Sequence, residues 1–305
     1  MDATFAEALA RSLSGIPRGR VATCSTIARA LGDVRAARAV ATWLREHPET
    51  REAHRVVRAD GRPVLDSSVA LLKKEGASIA VGRVESSSFV DPLPDVAFLG
   101  KLREEQRKNA FQVVEEDAGS TQSVTGVDIA YRGDEAYAAA ATLDVETLRT
   151  VAVASVRTKV GFPYIPGYLA FREMPGIETA VRRLAVPPEA VMIDGHGRLH
   201  PALFGVACHA GVRLNVPTIG VAKHPLAGRV DTTQEKETGA HPVRIDGKTQ
   251  GYAWIPPNRE HPIYISVGHR VSLGTALALV KRTTRVGYPE PLRIADRLAE
   301  EMKGE

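Results

Sequence analysis

The sequence predicts an α/β protein of two domains: a small, mainly helical N-terminal domain with a helix-turn-helix, and a mixed sheet flanked by helices. With 305 residues, 44% of them hydrophobic, the chain is long enough to bury two cores. Short apolar strands alternate with helical periodicity through its second part, which is typical of a sheet covered by helices. A serine- and proline-rich stretch, SSSFVDPLP, interrupts this pattern. We therefore expect domains at 1–85 and 95–305, with a linker at 86–94.

The first domain begins with a predicted helix, FAEALARSL, and an extended entry, GIPRGRVAT. A short helix, STIARAL, follows, with Ser25 or Thr26 as its cap and Gly32 at its end. Asp33 is expected to cap the next helix, over 34–46. Its apolar and basic residues fall on different sides at helical spacing, so the segment is a helix-turn-helix candidate. The apolar side carries Ala37, Val40, Ala41 and Leu44, and the basic side carries Arg35, Arg38 and Arg45.

The second domain opens with a helical stretch, VAFLGKLREEQRKNAFQVV, and then changes to alternation. VTGVDIAYRGDEAYAAAATLD predicts a hairpin about Gly133, and TVAVASV predicts a third strand. Further strands are expected at AVMID, PTIGVA and YISVGH, and a second hairpin at PVRIDGKTQGYAWI. The segments IETAVRRLA, ALFGVACHAGVRL and SLGTALALVKRT are expected to be helices that cover the sheet.

Composition excludes several classes of protein. The two cysteines, Cys24 and Cys208, are far apart, so neither a disulfide framework nor a cysteine zinc site is indicated. No apolar run is long enough to cross a bilayer, and the N-terminus lacks a cleavable signal pattern. We expect a cytoplasmic protein with no membrane partner.

The net charge of +4 is unevenly placed. Residues 1–85 hold 14 Lys and Arg against 10 Asp and Glu, and the remainder is balanced. This imbalance suits an anionic partner such as DNA, although a basic solvated surface explains the charge equally well.

Three acidic residues lie in or beside segments that are predicted to be buried, where a charged carboxylate is energetically unfavourable. Asp128 interrupts an apolar strand and Asp194 ends another, while Glu173 follows an aromatic and proline-rich loop that leads into a short helix. Oxygen ligands from separate elements suit Mg²⁺ or Mn²⁺ and metal-assisted phosphodiester hydrolysis. Taken singly, Asp128 facing solvent on an edge strand and Asp194 capping a helix are the alternative interpretations.

Two further residues are candidates for the same chemistry. Lys223 could steady a phosphate, and His269 could transfer a proton or orient water, although each also fits an ordinary structural role. His196 and His200 have a zinc-like spacing, but the adjoining glycines and the missing catalytic glutamate argue against a zinc hydrolase.

Six motifs of the second domain, in order, resemble endonuclease V, an inosine-directed nuclease family with a ribonuclease H-like fold: GVDIAY, PYIPGYLAFRE, IDGHGRLHP, GVAKHPL, SVGHR and PEPLRIAD. The resemblance implies that Asp128, Glu173 and Asp194 bind metal and act in catalysis with His269. It further implies Mg²⁺-dependent cleavage of the second phosphodiester 3′ to deoxyinosine, with Mn²⁺ as an alternative ion.

The same resemblance assigns substrate contacts. Tyr164, with Pro163, Ile165 and Pro166, resembles the wedge that holds DNA strands apart at the lesion. Gly195 and Gly197 would permit close approach of the backbone to a base or metal, and a plain tight turn explains them too. The departures from the family pattern, at Leu199 and at 202–203, bear on affinity more than on chemistry.

Residues 1–85 resemble the DNA-binding domain of alkylguanine DNA alkyltransferases in GIPRGRVATCSTIA, VRAARAVA and EAHRVVRADGRP. Ala53 occupies the position of the alkyl-accepting cysteine, so the domain is closer to alkyltransferase-like proteins, which bind alkylated bases without repairing them. Arg38 resembles the finger that replaces a flipped base, and His54 and Arg55 follow the lost acceptor. Two departures, Cys24 and His47, weaken a direct transfer of function.

These observations predict a DNA-repair endonuclease with a non-catalytic module that binds damaged double- or single-stranded DNA. The alternatives are a non-catalytic lesion sensor and an endoribonuclease that cuts inosine-containing RNA. Cleavage directed to alkylated guanine by the first domain is a further possibility that the sequence leaves open.

Overall fold

The computed structural model describes residues 4–233 and 239–305, which fold into two compact units. The first unit comprises Met1–Glu104 and Gly161–Pro166, and the second comprises Glu105–Val160 and Gly167–Glu305. The expected linker at 86–94 falls within the residue range of the first unit. None of the described helices is both long enough and apolar enough to span a membrane.

The first unit is mainly helical, as expected. Its helices and short strands are α1 (Phe5–Ser14), β1 (Ala22–Thr23), α2 (Cys24–Ala30), α3 (Ala37–Glu46), β2 (Val56–Val57), α4 (Ser68–Glu75), β3 (Ile79–Ala80) and β4 (Arg83–Val84). Strands β1 and β2 are parallel, and β3 and β4 are antiparallel. A core that includes Val21, Val57 and Leu72 lies beneath them.

The helix-turn-helix differs in detail from its sequence prediction. Thr23, rather than Ser25 or Thr26, caps α2, because its side chain accepts a hydrogen bond from the Thr26 amide. Asp33 caps a 3₁₀ turn, Val34–Ala36, and α3 begins only after that turn.

The second unit carries the large sheet, and helix α5 (Phe98–Asn109) runs across the boundary between the two residue ranges. Its strands are β5 (Ser123–Arg132), β6 (Glu135–Asp144), β7 (Thr150–Lys159), β8 (Val191–Asp194), β9 (Thr218–Ala222), β10 (Arg229–Val230), β11 (Ala240–Ile245), β12 (Lys248–Trp254) and β13 (Ile263–His269). Its remaining helices are α6 (Leu169–Arg182), α7 (Val206–Leu214), α8 (Leu273–Arg282) and α9 (Glu290–Gly304).

Within the described residues, nine strands form one mixed sheet in the order β10-β11-β12-β13-β9-β8-β5-β6-β7. Strands β5, β8 and β9 are parallel to one another, and the other neighbours pair antiparallel. The predicted hairpin about Gly133 is confirmed, since Arg132 pairs with Glu135 at its tip. The predicted α/β class with a mixed sheet is also confirmed.

Helices cover the sheet through two hydrophobic cores. One contains Met192, Ile219 and Val267 with residues of α8 and α9, and the other contains Val127 and Ala138 with residues of α6 and α7. Helix α6 is longer than the predicted segment and includes Glu173, whereas the sequence predicts this residue where a loop enters a short helix. Helix α9 was not predicted.

Candidate active site

Two aspartates lie side by side where the parallel pairing of β5 with β8 stops: Asp194 is the last residue of β8, and Asp128 lies in the middle of β5. β5 pairs with β8 so that Val127 lies opposite Ile193, and one further residue brings Asp128 level with Asp194. Strand ends at this edge of an open α/β sheet are the usual place for a ligand. Asp128 therefore lies on a central strand, not on an edge strand. Asp194 caps no helix, because α7 begins later, after Gly205.

The carboxylates of this site repel one another, which disfavours their ionised forms. Burial and the neighbouring Asp194 raise the pKa of Asp128, whose carboxylate accepts a hydrogen bond from the Ile129 amide at 2.8 Å. Burial and Asp128 raise the pKa of Glu173 to about 8, although Tyr131 donates to it at 3.2 Å. A cation between these carboxylates would relieve the repulsion.

The negative charge of Asp194 is stabilised by more side-chain contacts than that of Asp128. Lys223 Nζ lies 2.6 Å from its Oδ2, and the Tyr288 hydroxyl lies 3.1 Å from its Oδ1 and 2.9 Å from the Val221 carbonyl. Burial acts to lower the pKa of Lys223, but Asp194 outweighs this effect and the pKa is raised. Lys223, predicted to steady a phosphate, is thus held by one of the predicted metal ligands.

A fourth acid, Asp296 on α9, belongs to this site and was missed by sequence reasoning. It lines the same cavity as Asp128 and Lys223, and its charge contributes to raising the pKa of both. Helix α9 reaches β5 because Gly126 has no side chain: a Cβ there would lie 2.2 Å from the Pro291 carbonyl carbon. The motif PEPLRIAD, which ends at this residue, was the available signal.

The side chains of this site are of the types that bind divalent cations, but they do not converge on a single point. Among the described residues, no three His, Cys, Asp or Glu side chains converge closely enough to form a metal cluster. The donor set is nevertheless all carboxylate, and the half-buried Asp128 lacks an ion-pair partner within the part of the chain that the structure describes. Such a set fits Mg²⁺ or Mn²⁺.

The turn after Asp194 is explained by internal packing. A Cβ on Gly195 would lie 2.4 Å from Val206 Cγ1, and one on Gly197 would lie 2.0 Å from the Val267 carbonyl oxygen. The neighbouring histidines, His196 and His200, have Nε2 at 3.0 Å and 3.1 Å from backbone carbonyls. These contacts agree with the interpretation that His196 and His200 are not a zinc pair.

His269 ends β13, where its Nδ1 accepts a hydrogen bond from the Val114 amide at 3.2 Å. Burial and the adjacent Arg270 lower the pKa of the imidazole, which favours the neutral ring with its proton on Nε2. Within the described residues, no interaction joins His269 to the acids. Its catalytic role stays a prediction.

The predicted wedge belongs to the first unit. Tyr164 is 63% exposed, whereas Ile165 is fully buried. Pro163 is buried and Pro166 is exposed. The preceding Phe162 packs its ring 5.8 Å from that of Phe5 in α1. An exposed aromatic side chain on an anchored segment is what a wedge requires, and the role stays a prediction.

Ala53, predicted to occupy the position of a lost alkyl acceptor, is surrounded by residues that contact one another. Ala53 is buried, and the side chains of His54 and Arg55 both contact Glu75, with His54 Nε2 3.0 Å and Arg55 Nη2 2.7 Å from its Oε1. Arg55 Nη1 also donates to the Ile16 carbonyl at 2.8 Å. Both residues, predicted to contact DNA, are therefore engaged inside the unit.

The other two N-terminal candidates differ in exposure. Arg38 is exposed on α3, as a DNA contact requires. Cys24 is buried, and burial raises the pKa of its thiol to about 11. The thiolate form is therefore disfavoured, which argues against a substitute nucleophile.

Comparison with known proteins agrees with this arrangement. The family profile described as Endonuclease V matches residues 106–297, and the profile described as 6-O-methylguanine DNA methyltransferase, DNA binding domain, matches residues 4–78. Endonuclease V of Thermofilum pendens is 41% identical over 210 residues, which cover 68% of this chain and 89% of the relative.

Solved structures give the same result. Endonuclease V of Streptomyces avermitilis superposes with a TM-score of 0.63 and 37% identity, covering 67% of this chain and 92% of its own. The human protein gives 0.61 and 32%, covering 67% and 97%. The Ciona intestinalis protein, in complex with a 24mer DNA containing an inosine followed by a ribo-adenosine, shares the fold at 24% identity and a TM-score of 0.59, covering 68% and 98%.

A mixed sheet with an acidic site beside two of its parallel strands, joined to a DNA-binding module, thus defines a DNA-repair endonuclease of two units. The chain belongs to the endonuclease V family, and it carries the DNA-binding domain of the methyltransferases at its N-terminus.

Proposed function

We propose that this protein cleaves DNA at deoxyinosine, hydrolysing the second phosphodiester on the 3′ side with Mg²⁺ as cofactor. The observation that carries the proposal is the pair Asp128 and Asp194, brought level by the parallel register of β5 and β8. Deaminated adenine is then the lesion. The inosine-containing DNA bound by the Ciona relative supports this choice of base.

In this proposal, Asp128, Asp194 and Glu173 hold the ion, and Asp296 adds negative charge beside Asp128. When bound, the ion supplies activation of water and charge stabilisation at the phosphorus. Tyr288 fixes one oxygen of Asp194 through its hydroxyl, at 3.1 Å. Lys223, released from Asp194, contacts a nonbridging phosphate oxygen in this proposal. His269, neutral with its proton on Nε2, donates a hydrogen bond from Nε2 to an oxygen of the water or the substrate.

The N-terminal module is proposed to bind DNA without transferring alkyl groups. The position of the acceptor is a buried alanine, and the pKa of Cys24 is raised by burial, so the described part of this unit offers no reactive thiolate. Arg38 contacts DNA in this proposal. His54 and Arg55 support the fold around Glu75, and a contact of either with DNA would require the network to open.

The test is nicking by the full-length chain of matched duplexes that carry deoxyinosine, alkylated guanine or neither, with Mg²⁺ and with chelator. We expect metal-dependent nicking 3′ to deoxyinosine, lost in Asp128→Asn and retained in the hairpin-turn control Asp134→Asn. Absence of nicking on every substrate would favour the lesion-sensor alternative, and full activity of Asp128→Asn would overturn the metal assignment.

A ribonuclease is the second candidate, because the DNA bound by the Ciona relative carries a ribo-adenosine after the inosine. Duplexes identical except for a ribose or deoxyribose at the inosine and its 3′ neighbour separate the two functions. Faster cleavage of the ribose-containing strand would favour RNA as the substrate.

A further inference from the structure

A cavity of about 340 Å³ opens beside Asp128 and contains charges of both signs. Its charged or aromatic lining residues are Asp128, Lys223, Arg259, Tyr288, Arg293 and Asp296. Its volume falls within the range of roughly 300–1,000 Å³ that is usual for ligand sites. An acidic cavity repels the phosphates of a nucleic acid, so a nuclease needs fixed cations in the same place.

The three cations of the cavity differ in their partners. Lys223 is paired with Asp194 at 2.6 Å, and Arg293 is paired with Glu290 at 2.7 Å. Arg259 forms no ion pair with a carboxylate of residues 4–233 or 239–305. Instead, it donates from Nε to the His261 carbonyl at 2.9 Å and from Nη1 to the Gly287 carbonyl at 3.4 Å.

These two hydrogen bonds fix the guanidinium without neutralising it. Arg259 is half-buried, so its orientation is constrained more than that of a free surface arginine. In the described structure Nη2 has no hydrogen-bond partner, which leaves its N–H groups available to a ligand in the cavity. A planar cation held in this way matches a pair of phosphate oxygens.

Tyr288 connects Arg259 to the acids. Its ring centroid lies 5.9 Å from Arg259 Cζ and 4.9 Å from Lys223 Nζ, which are distances of cation–π contact. The ring is buried, and its hydroxyl is held by Asp194 and the Val221 carbonyl. Arg259 and Lys223 therefore both contact the same buried ring.

We propose that Arg259 is a phosphate-binding residue of the nuclease site. It holds a backbone phosphate next to the cleaved bond, on the DNA strand that is cut. The inference rests on the proposed function and specifies how the strand is held. Arg259 supplies uncompensated charge beside Asp128 and Asp296, so it offsets their repulsion of the strand. Its role is binding and positioning, and Lys223 remains with Asp194 until substrate enters.

The first test measures binding, which does not require cleavage. Full-length wild type, Arg259→Gln and Arg259→Lys are titrated with a labelled deoxyinosine duplex by fluorescence anisotropy, in chelator and in Ca²⁺, over a range of salt. Loss of one charge-assisted contact should weaken binding roughly 10-fold in Arg259→Gln and reduce the salt slope by about 1. Arg259→Lys should restore the slope but only part of the affinity, since it lacks the planar fork.

The second test locates the phosphate. Single neutral methylphosphonates are placed at each position around the lesion, and one of them should weaken binding by wild type but leave Arg259→Gln unchanged. Arg149→Gln, an exposed arginine between β6 and β7, is the matched control and should keep the wild-type pattern.

The experiments distinguish failure of the Arg259 phosphate contact from failure of the proposed nuclease function. If wild type and Arg259→Gln show the same affinity, salt slope and methylphosphonate pattern, Arg259 does not hold a phosphate, whatever the nicking result. If wild type binds in the expected pattern but never nicks deoxyinosine DNA, the proposed function fails and the phosphate contact stands.

Discussion

The position of α9 against β5 depends on the absence of a side chain at Gly126, so Gly126→Ala should disturb both stability and catalysis. The added Cβ would lie 2.2 Å from the Pro291 carbonyl carbon and 2.5 Å from the Leu292 nitrogen, whereas ordinary contacts begin at 3.4 Å. The contacting atoms are backbone, so no side chain can rotate away and α9 must retreat by about 1 Å. Overpacking of this kind costs about 1–3 kcal/mol.

The expected stability loss corresponds to a fall of the unfolding midpoint by roughly 4–8 °C for a cost of 2 kcal/mol in a unit of this size. Catalysis should suffer more, because the helix carries Asp296, and a misplacement of about 1 Å costs on the order of 100-fold in rate. Calorimetry gives the midpoint, and nicking of a deoxyinosine duplex at a temperature well below the transition gives the rate.

Gly274→Ala is the control for this prediction. Gly274 lies in α8, and a Cβ there meets no atom within 4 Å. Alanine should leave nicking unchanged and raise stability by up to about 1 kcal/mol, because it favours the helix. An unchanged midpoint in Gly126→Ala would refute the close approach of α9 to β5, and an unchanged rate with a lowered midpoint would refute the role of Asp296.

Two further predictions concern the first unit. The pKa of Glu75 is lowered from 4.5 to about 2, chiefly by its hydrogen bond from Arg55, so its stabilisation is complete above pH 4.5 and is lost as pH falls through 2. Over that interval the wild-type urea transition that exposes Trp43 should lose about 1–2 kcal/mol more than that of Glu75→Gln, after allowance for screening by water. Glu46→Gln, at the exposed end of α3, should behave as wild type, and equal pH dependence of all three proteins would contradict the interpretation. The buried Cys24, with a pKa raised to about 11, should resist thiol reagents and accept no alkyl group from alkylguanine DNA, whereas unfolding in urea should expose it to the reagents. Rapid labelling of the folded protein would contradict this.

The sequence predicts helices and strands correctly where the pattern of neighbouring residues determines them. The β5–β6 hairpin follows from two strand-like segments on either side of a glycine turn, and α7 and α8 follow from helical periodicity. Helix α9 was not predicted, although its sequence has a helical pattern. Its apolar residues, Leu292, Ala295 and Ala299, have helical spacing and are buried.

The site could be predicted only as a set of separate residues. Asp128 and Asp194 become neighbours through the parallel register of β5 and β8, and Tyr288 joins them from much later in the chain. The partner of His269 is the amide of Val114, which is 155 residues away. No local pattern encodes such pairings, because register and long-range contacts depend on how the whole sheet packs.

The residues around Ala53 hold the first unit together. Glu75, at the end of α4, accepts hydrogen bonds from the Gly19 amide at 3.2 Å and from Arg55 Nε at 2.9 Å, and it contacts His54 at 3.0 Å. Removing it would leave a largely buried guanidinium unpaired, which is costly. An alanine at position 53 leaves each of these contacts available. The side chain at this position is therefore dispensable to the contacts around Glu75, whereas its neighbours are not.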